Sequence, residues 1–271
     1  MRKSAAGGTR VCAHEDPVVL GDLSKTPTGL YLYGVVEGCP DRVSDGAIGL
    51  DGAQVRCLEI DGLGVLAHGC EAAPYASQDR ETVVHWAEAH AAVLCGALAR
   101  YPAVLPFAFN TIVQGPCPDQ RLAQWIGDHR SDVCLLLGRL RGCVEYGVHI
   151  EVSAPPAPPE VDPDLPAGVA YLLRNRPRPK AWPSQWRQAA LRRLQRLADL
   201  SVEVRGGVTP GPEPSGATLL RAACLVDMEA VSVFLCVAQE PPETEAFRIE
   251  VTGPWPAYSF LNPPPRDRES R

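Results

Sequence analysis

The sequence predicts an α+β protein of two domains, the C-terminal one ferredoxin-like, with helices on one face of an antiparallel sheet. Three observations carry that prediction. The elements legible in the second half run β-α-β-β-α-β, the order of the ferredoxin-like plan. Asp61-Gly62 stands between two strand-like runs and suits a tight hairpin turn. Two long segments of the first half repeat apolar residues at helical spacing and end on a breaker.

Taken in order, residues 1–27 are small, polar and weakly patterned, and are expected to form a flexible leader. Residues 30–36 are β-rich and apolar on both faces, which predicts a central buried strand. Strands follow over 54–60 and 63–67, the first alternating with Val55 and Cys57 on one face and Leu58 and Ile60 on the other. A helix is expected over 79–100, with Val83, Ala87, His90, Ala91, Leu94 and Leu98 recurring on one face. Arg100 suits its C-terminal dipole and Pro102 prevents continuation. Residues 104–109 read as a short strand, at an edge because of Pro106.

A second helix is expected over 118–140, its buried stripe built from Leu122, Trp125, Ile126, Val133, Leu136, Leu137 and Leu140. Arg141-Gly142 ends it, and 143–152 alternates as a strand. After a proline-rich loop over 154–166, a helix start is expected at 168–174 and a stronger helix over 184–200. In the latter, Trp186, Ala190, Leu194 and Leu197 share a face, while Arg187, Arg192, Arg193 and Arg196 are expected to solvate the rest. Strands over 202–204 and 219–226, a helix over 228–238 and a strand over 247–251 complete the set. The expected domains are therefore 28–141 and 142–261, with a flexible tail at 262–271.

Composition narrows the function. The chain has 271 residues, 45% of them hydrophobic, enough for one large domain or two ordinary ones. A net charge of −6 argues against a general nucleic-acid binder. The ten cysteines include no pair two to four residues apart, so neither a zinc ribbon nor a redox pair is expected. With no apolar signal core after Arg2 and Lys3, they read as reduced thiols of a cytosolic protein. The most apolar stretch, 89–109, carries His90, Arg100, Pro102 and Pro106, so no membrane span is expected.

The chemistry-bearing patterns are weak. Gly62-Leu63-Gly64-Val65-Leu66-Ala67 matches a dinucleotide fingerprint, but it sits in a hairpin rather than between a strand and a helix. Glu81, His85 and Glu88 share a helix face without a second histidine at ligand spacing, so no metal is expected. Glu145 lies in an otherwise apolar strand. It reads either as a general base, in an enzyme site with His149 and an arginine, or as the partner of an arginine at a strand edge or domain seam. No nucleophile–base set and no cofactor cradle is present, so neither catalysis nor a cofactor is expected. A ligand-binding regulatory module with ferredoxin-like domains is the alternative reading.

The segment from Thr252 to Phe260 is the most distinctive. Pro254 and Pro256 lack N–H donors and restrict the residues before them, Gly253 and Trp255. The segment is therefore expected to be neither helical nor central in a sheet, but a stiff extended arm presenting Trp255, Tyr258 and Phe260. Two readings of the arm stand: a docking surface for a partner, or a seal folded back on the protein's own seam.

With three further segments, this arm resembles the gas vesicle protein family GvpF/GvpL. The others are Gly29-Leu30-Tyr31-Leu32-Tyr33-Gly34-Val35-Val36; His90-Ala91-Ala92-Val93-Leu94 with Val104-Leu105-Pro106-Phe107-Ala108-Phe109-Asn110-Thr111; and Gly142-Cys143-Val144-Glu145-Tyr146 with Ala170-Tyr171-Leu172. They occur in family order over 29–261. The resemblance implies a two-domain α+β accessory or assembly protein of gas vesicles, the hollow protein-walled buoyancy compartments of some prokaryotes. It implies binding to the small apolar shell protein and to other gas vesicle accessory proteins, with no nucleic acid and no lipid membrane involved. The partner-binding candidates are Trp255, Tyr258, Phe260, Phe107 and Phe109, and the structural motif comprises Gly253, Pro254, Pro256, Glu145, Tyr146 and Pro106. Ala108 and Asn110 stand where the family usually has arginine and glycine, and Ala257 where it has proline. Without that arginine, any pairing it would make with Glu145 loses its partner.

Overall fold

The computed structural model describes residues 28–38, 47–153, 181–212 and 217–262, with isolated positions at 166, 168 and 169. The expected leader, nearly all of the proline-rich loop, most of the 168–174 helix, the segment 170–172 and the tail from 263 lie outside the described residues.

The first half builds a mixed layer from β1 (Gly29–Glu37), β2 (Arg56–Ile60), β3 (Leu63–Cys70), α1 (Arg80–Leu98), β4 (Val104–Pro106), β5 (Ile112–Gln114) and α2 (Pro118–Leu140). The strands run β2-β3-β1-β4, with β5 pairing the start of β1, and all these pairings are antiparallel. β1 is central and buried from Gly29 to Val36 because both faces are covered. Tyr31 and Tyr33 pack with Val93, Leu94 and Ala97 of α1, while Leu30 and Leu32 pack with Leu122 and Ile126 of α2. A bulge between Leu32 and Gly34 shifts the alternation by one residue. Beyond it Val35 joins the α2 side and Val36 the α1 side.

Local chemistry sets the element ends. Asp61 (φ 50) and Gly62 (φ 80) both take the positive φ that a type I′ hairpin needs. Asp79 caps α1, accepting from the N–H groups of Glu81 and Thr82. Pro118 opens α2 at a position where its missing N–H is harmless. The strand expected over 104–109 is shorter. It stops at Pro106, turns through Ala108 and Asn110, and resumes as β5. The turn closes on the Ala108 carbonyl, which accepts from the Thr111 N–H (3.2 Å) and hydroxyl (2.7 Å).

The second half builds an antiparallel sheet ordered β7-β8-β6-β9 from β6 (Cys143–Val152), β7 (Glu203–Val208), β8 (Thr218–Asp227) and β9 (Phe247–Trp255). Helices α3 (Ser184–Ala198) and α4 (Val231–Ala238) pack on one face, over Val144, Tyr146, Val148 and Ile150. Arg193, expected to solvate α3, is instead 2% exposed. Its guanidinium donates to the carbonyls of Glu240 (3.1 Å) and Pro241 (2.8 Å) and pairs with Glu243 at 3.0 Å. The free carbonyls after α4 need donors, and a planar five-donor group at that point supplies several at once.

The opposite face of this sheet meets the first half. Cys143 and Leu225 belong to the same apolar cluster as the α2 stripe, together with Ala257 and Phe260. The C-terminal segment thus lies where the two sheets and α2 converge.

Candidate functional site

β9 continues through Gly253 and Pro254 to Trp255, which pairs with Glu145 across a register shift. As the edge strand it tolerates Pro254, whose missing N–H removes nothing from a central ladder. Gly253 is obligatory here. A Cβ on it would sit 2.7 Å from the Glu145 carbonyl and 2.8 Å from the Tyr146 ring, at a φ of 126. After Pro256 the chain makes a single 3-10 turn over Tyr258–Phe260. The expectation of a wholly extended, non-helical arm is corrected by that turn, which folds the end of the segment inward.

The turn is clamped from the second half. Glu145, 9% exposed, accepts from the Ser259 N–H at 2.9 Å and the Ser259 hydroxyl at 2.6 Å. The arginine partner expected for Glu145 is therefore replaced by a neutral one on the C-terminal segment. Arginines grip the same segment through its backbone. Arg205 donates to the carbonyls of Ser259 (2.6 Å) and Asn262, and Arg139 to that of Phe260 (3.2 Å). Both also pair with Glu203. Burial pushes the Glu203 carboxyl up, but the hydrogen bonds from Arg205 and Arg139 outweigh it and hold it below the usual range. The Arg205 guanidinium lies 5.1 Å from the centre of the Phe260 ring.

A network of tyrosines and histidines holds the segment from the first half. Tyr258 Oη is 3.0 Å from His90 Nε2, and His90 Nδ1 is 2.9 Å from Tyr31 Oη. The Phe107 carbonyl, 3.2 Å from Nε2, can only accept. That assigns the proton to Nε2 and leaves Nδ1 to accept from Tyr31. Tyr31 in turn accepts from the Asn110 N–H. A parallel relay joins Tyr33, His68 and Tyr75 at 3.0 and 3.1 Å. Asn110 locks the two together by exchanging hydrogen bonds with the Tyr75 backbone at 2.8 and 3.0 Å. Its φ of 67 lies in the left-handed region, which asparagine tolerates better than most residues.

Burial keeps this network uncharged. It pushes His68 down to about 4, against a raising effect of Asp51, and lowers His90 against the Phe107 carbonyl. It pushes Tyr31 and Tyr75 up to about 12, and raises Tyr258 as well. At neutral pH these groups position one another as neutral donors and acceptors.

The candidate aromatics do not form one patch. Trp255 (41% exposed) and Tyr258 (37%) face solvent, whereas Phe260 is fully buried. Phe109 turns inward against Tyr31 and His90, with ring centres 6.3 and 5.9 Å away. Phe107 is half-buried beside Trp125, 6.0 Å away. Tyr146 packs on Phe234 under the helices, and Pro106 ends β4. Residues not singled out in the sequence do much of the holding: Tyr31, Tyr33, His68, Tyr75, Arg139 and Arg205. The available signal was a histidine at an apolar stripe position, His90, which requires a buried partner. His149 stands opposite Arg221 and Glu250, while Glu145 is engaged by Ser259. Among the described residues no cluster of three metal-ligating side chains forms, and no helix is long and apolar enough to cross a membrane.

Comparison with known proteins places the whole arrangement. Gas vesicle protein L1 of Halobacterium salinarum is 25% identical over 93% of this chain and 96% of its own length. Gas vesicle protein L of a Streptomyces species is 29% identical over 85% of this chain and 91% of its own. The fold is similar to crystal structures of GvpF from Anabaena (TM-score 0.63, 22% identity, 86% of this chain and 96% of that one) and from Microcystis aeruginosa (TM-score 0.60, 19% identity, 87% and 99%). The family model for gas vesicle synthesis protein GvpL/GvpF matches residues 29–262, from β1 through the clamped C-terminal turn, and the chain belongs to that family.

Proposed function

We propose that this chain is a minor structural or assembly factor of gas vesicles that binds the small apolar shell protein and other gas vesicle proteins, without catalysis. Family membership supports a gas vesicle accessory role, and the family is not a known enzyme class. Gas vesicle association follows from the same membership, and the finer placement on vesicles in a prokaryotic cytoplasm belongs to this proposal.

The observation that carries the binding reading is Trp255. The residue is 41% exposed while those that follow it are clamped by Glu145, Arg139 and Arg205. A large aromatic held still in water spends little entropy on docking, which favours it as an anchor for an apolar partner. Tyr258, also partly exposed, and half-buried Phe107 are further candidate contacts, while Phe109 and Phe260 point into the protein and hold the segment's surroundings. Two working units are assigned, 28–141 and 142–261. The second is ferredoxin-like, on the order β6-α3-β7-β8-α4-β9 with antiparallel pairing throughout.

The test is capture of the host's small shell protein by wild type and by Trp255→Ala. Binding by wild type and loss in a folded variant is the expected result. Equal binding by both would move the contact elsewhere, and no binding by either would remove the proposed mechanism.

A further inference from the structure

The second sheet ends on an edge whose side chains complement their own copy. β9 is an outer strand, and among the described residues only β6 pairs with it. An uncovered edge presents a row of unused N–H and C=O groups to any second strand. Alternation tells which groups those are. The Ser153 N–H donates to the Ala246 carbonyl at 2.8 Å, so Ala246 turns its backbone toward β6. Continuing by twos, Arg248 and Glu250 turn theirs toward β6 as well, while Phe247, Ile249 and Val251 turn theirs outward. The side chains alternate too. Arg248 and Glu250 are exposed on the face opposite the helices, whereas Phe247, Ile249 and Val251 pack on the helix-covered face. Edges that avoid pairing carry charges that repel a second strand. Here two charges of opposite sign stand at i and i+2, so a second copy meets attraction instead.

We propose that β9 pairs antiparallel with β9 of a second copy across a twofold axis at Ile249, joining two four-stranded sheets into one. A ladder centred there sets Arg248 opposite Glu250 of the second copy, and Glu250 opposite its Arg248. Both pairs fall at non-hydrogen-bonded positions, where facing side chains come closest. On the covered face the two Ile249 side chains meet and Phe247 meets Val251, so apolar groups face apolar groups throughout. The charge row extends inward, since Glu151 stands opposite Arg248 on β6, and His149 opposite Glu250. Glu151, Arg248 and the second copy's Glu250 then alternate in sign. Neighbouring registers are worse. Centring on Glu250 places that carboxylate against its own copy, and centring on Val251 sets Arg248 opposite Pro254 with no ion pair. Pro254, without an N–H, and the register shift beyond Thr252 end the ladder on that side. The inference goes beyond partner capture by Trp255 and does not depend on it.

Sedimentation equilibrium of the full chain at low salt, from about 1 to about 200 μM, tests the pairing. Wild type is expected to dimerise reversibly within that range. Arg248→Glu alone and Glu250→Arg alone each set like charges across the axis and should weaken the dimer about tenfold or more. Both positions are exposed, so both variants should keep the fold. Mixing the two variants restores opposite charges at both pairs, and a mixed dimer should form where neither variant dimerises alone. The double variant Arg248→Glu/Glu250→Arg exchanges the charges and should regain wild-type affinity. Wild type that stays monomeric, a dimer indifferent to both reversals, or a mixture that recovers no dimer would each overturn the proposal. In the first case the edge is left to another segment of this chain or to another protein.

Discussion

The two halves of the molecule hold the same C-terminal segment by opposite chemistry. The first half uses neutral groups: Tyr258 meets His90, and His90 meets Tyr31, all where burial suppresses charge. The second half uses ions: Glu145 on Ser259 and Arg205 on the carbonyls of the turn, balanced by Glu203, which also pairs with Arg139 reaching over from the end of α2 in the first half. The difference teaches which perturbation each half feels. A buried imidazole responds to mild acid, whereas an arginine–carboxylate clamp keeps its charge until the carboxylate itself is protonated.

The strongest way to break the comparison is to remove what both halves share. Phe260 is fully buried in the cluster that joins the α2 stripe, Leu225 and Ala257. Phe260→Ala leaves a cavity at the convergence of both sheets and is expected to cost about 3–5 kcal/mol. Urea denaturation would show it as a lower midpoint. A loss below about 1 kcal/mol would mean the segment is not part of the core.

Acidification should separate the halves. His68 is held down at about 4 and His90 is also lowered, while an unfolded histidine titrates near 6.5. The unfolded chain therefore takes up protons first. Stability is full above about pH 6.5 and falls as pH drops toward about 4, by an amount on the order of 2 kcal/mol after allowing for solvent screening. The Glu203 clamp is lost in the same direction, on acidification, but in a lower pH window, below the ordinary carboxylate range. Its folded carboxyl lies below the ordinary range, so its contribution persists to lower pH. Hydrogen exchange at pH 7.5 and 5 should show amides of β1 and β3 losing protection before those of β6 and β8. Uniform loss would contradict the division.

What the sequence disclosed follows the same line between local and long-range physics. The Asp61-Gly62 hairpin, the span of α2 and the whole of β6 were legible because a turn pair, an N-terminal proline and strict alternation are local signals. β5 was not, because it exists only through pairing with β1 after a turn closed by Thr111. The His90 relay was illegible as a network, since it joins residues 59 and 168 positions apart. Arg193 was misread for a related reason: the helix pattern put it among solvated arginines, but the carbonyls it satisfies come from the turn after α4. Glu145 was read as a general base or as the partner of an arginine at a strand edge or domain seam, whereas the group it holds is Ser259, 114 positions away.

Glu145→Gln sharpens the ionic side with a smaller effect. The amide keeps one acceptor for Ser259 but turns a donor toward the other, so about 1 kcal/mol should be lost. Gas vesicle formation should survive if the protein stays folded. Its abolition with an intact melting curve would instead point to a catalytic carboxylate.

The smallest expected effect on stability belongs to Trp255→Ala. The ring is substantially exposed at the end of an edge strand, and the segment beyond it is anchored independently by Ser259, Phe260 and their partners. Its truncation should change folding by no more than about 1 kcal/mol. Capture of an apolar partner should nonetheless fall severalfold, because a rigid exposed aromatic contributes far more to an interface than to the fold that presents it. Comparing the two readouts on one variant separates presentation from packing. A large stability loss with unchanged capture would make Trp255 a seal of the β9 edge, and the docking face would then have to be sought around Phe107 and Trp125.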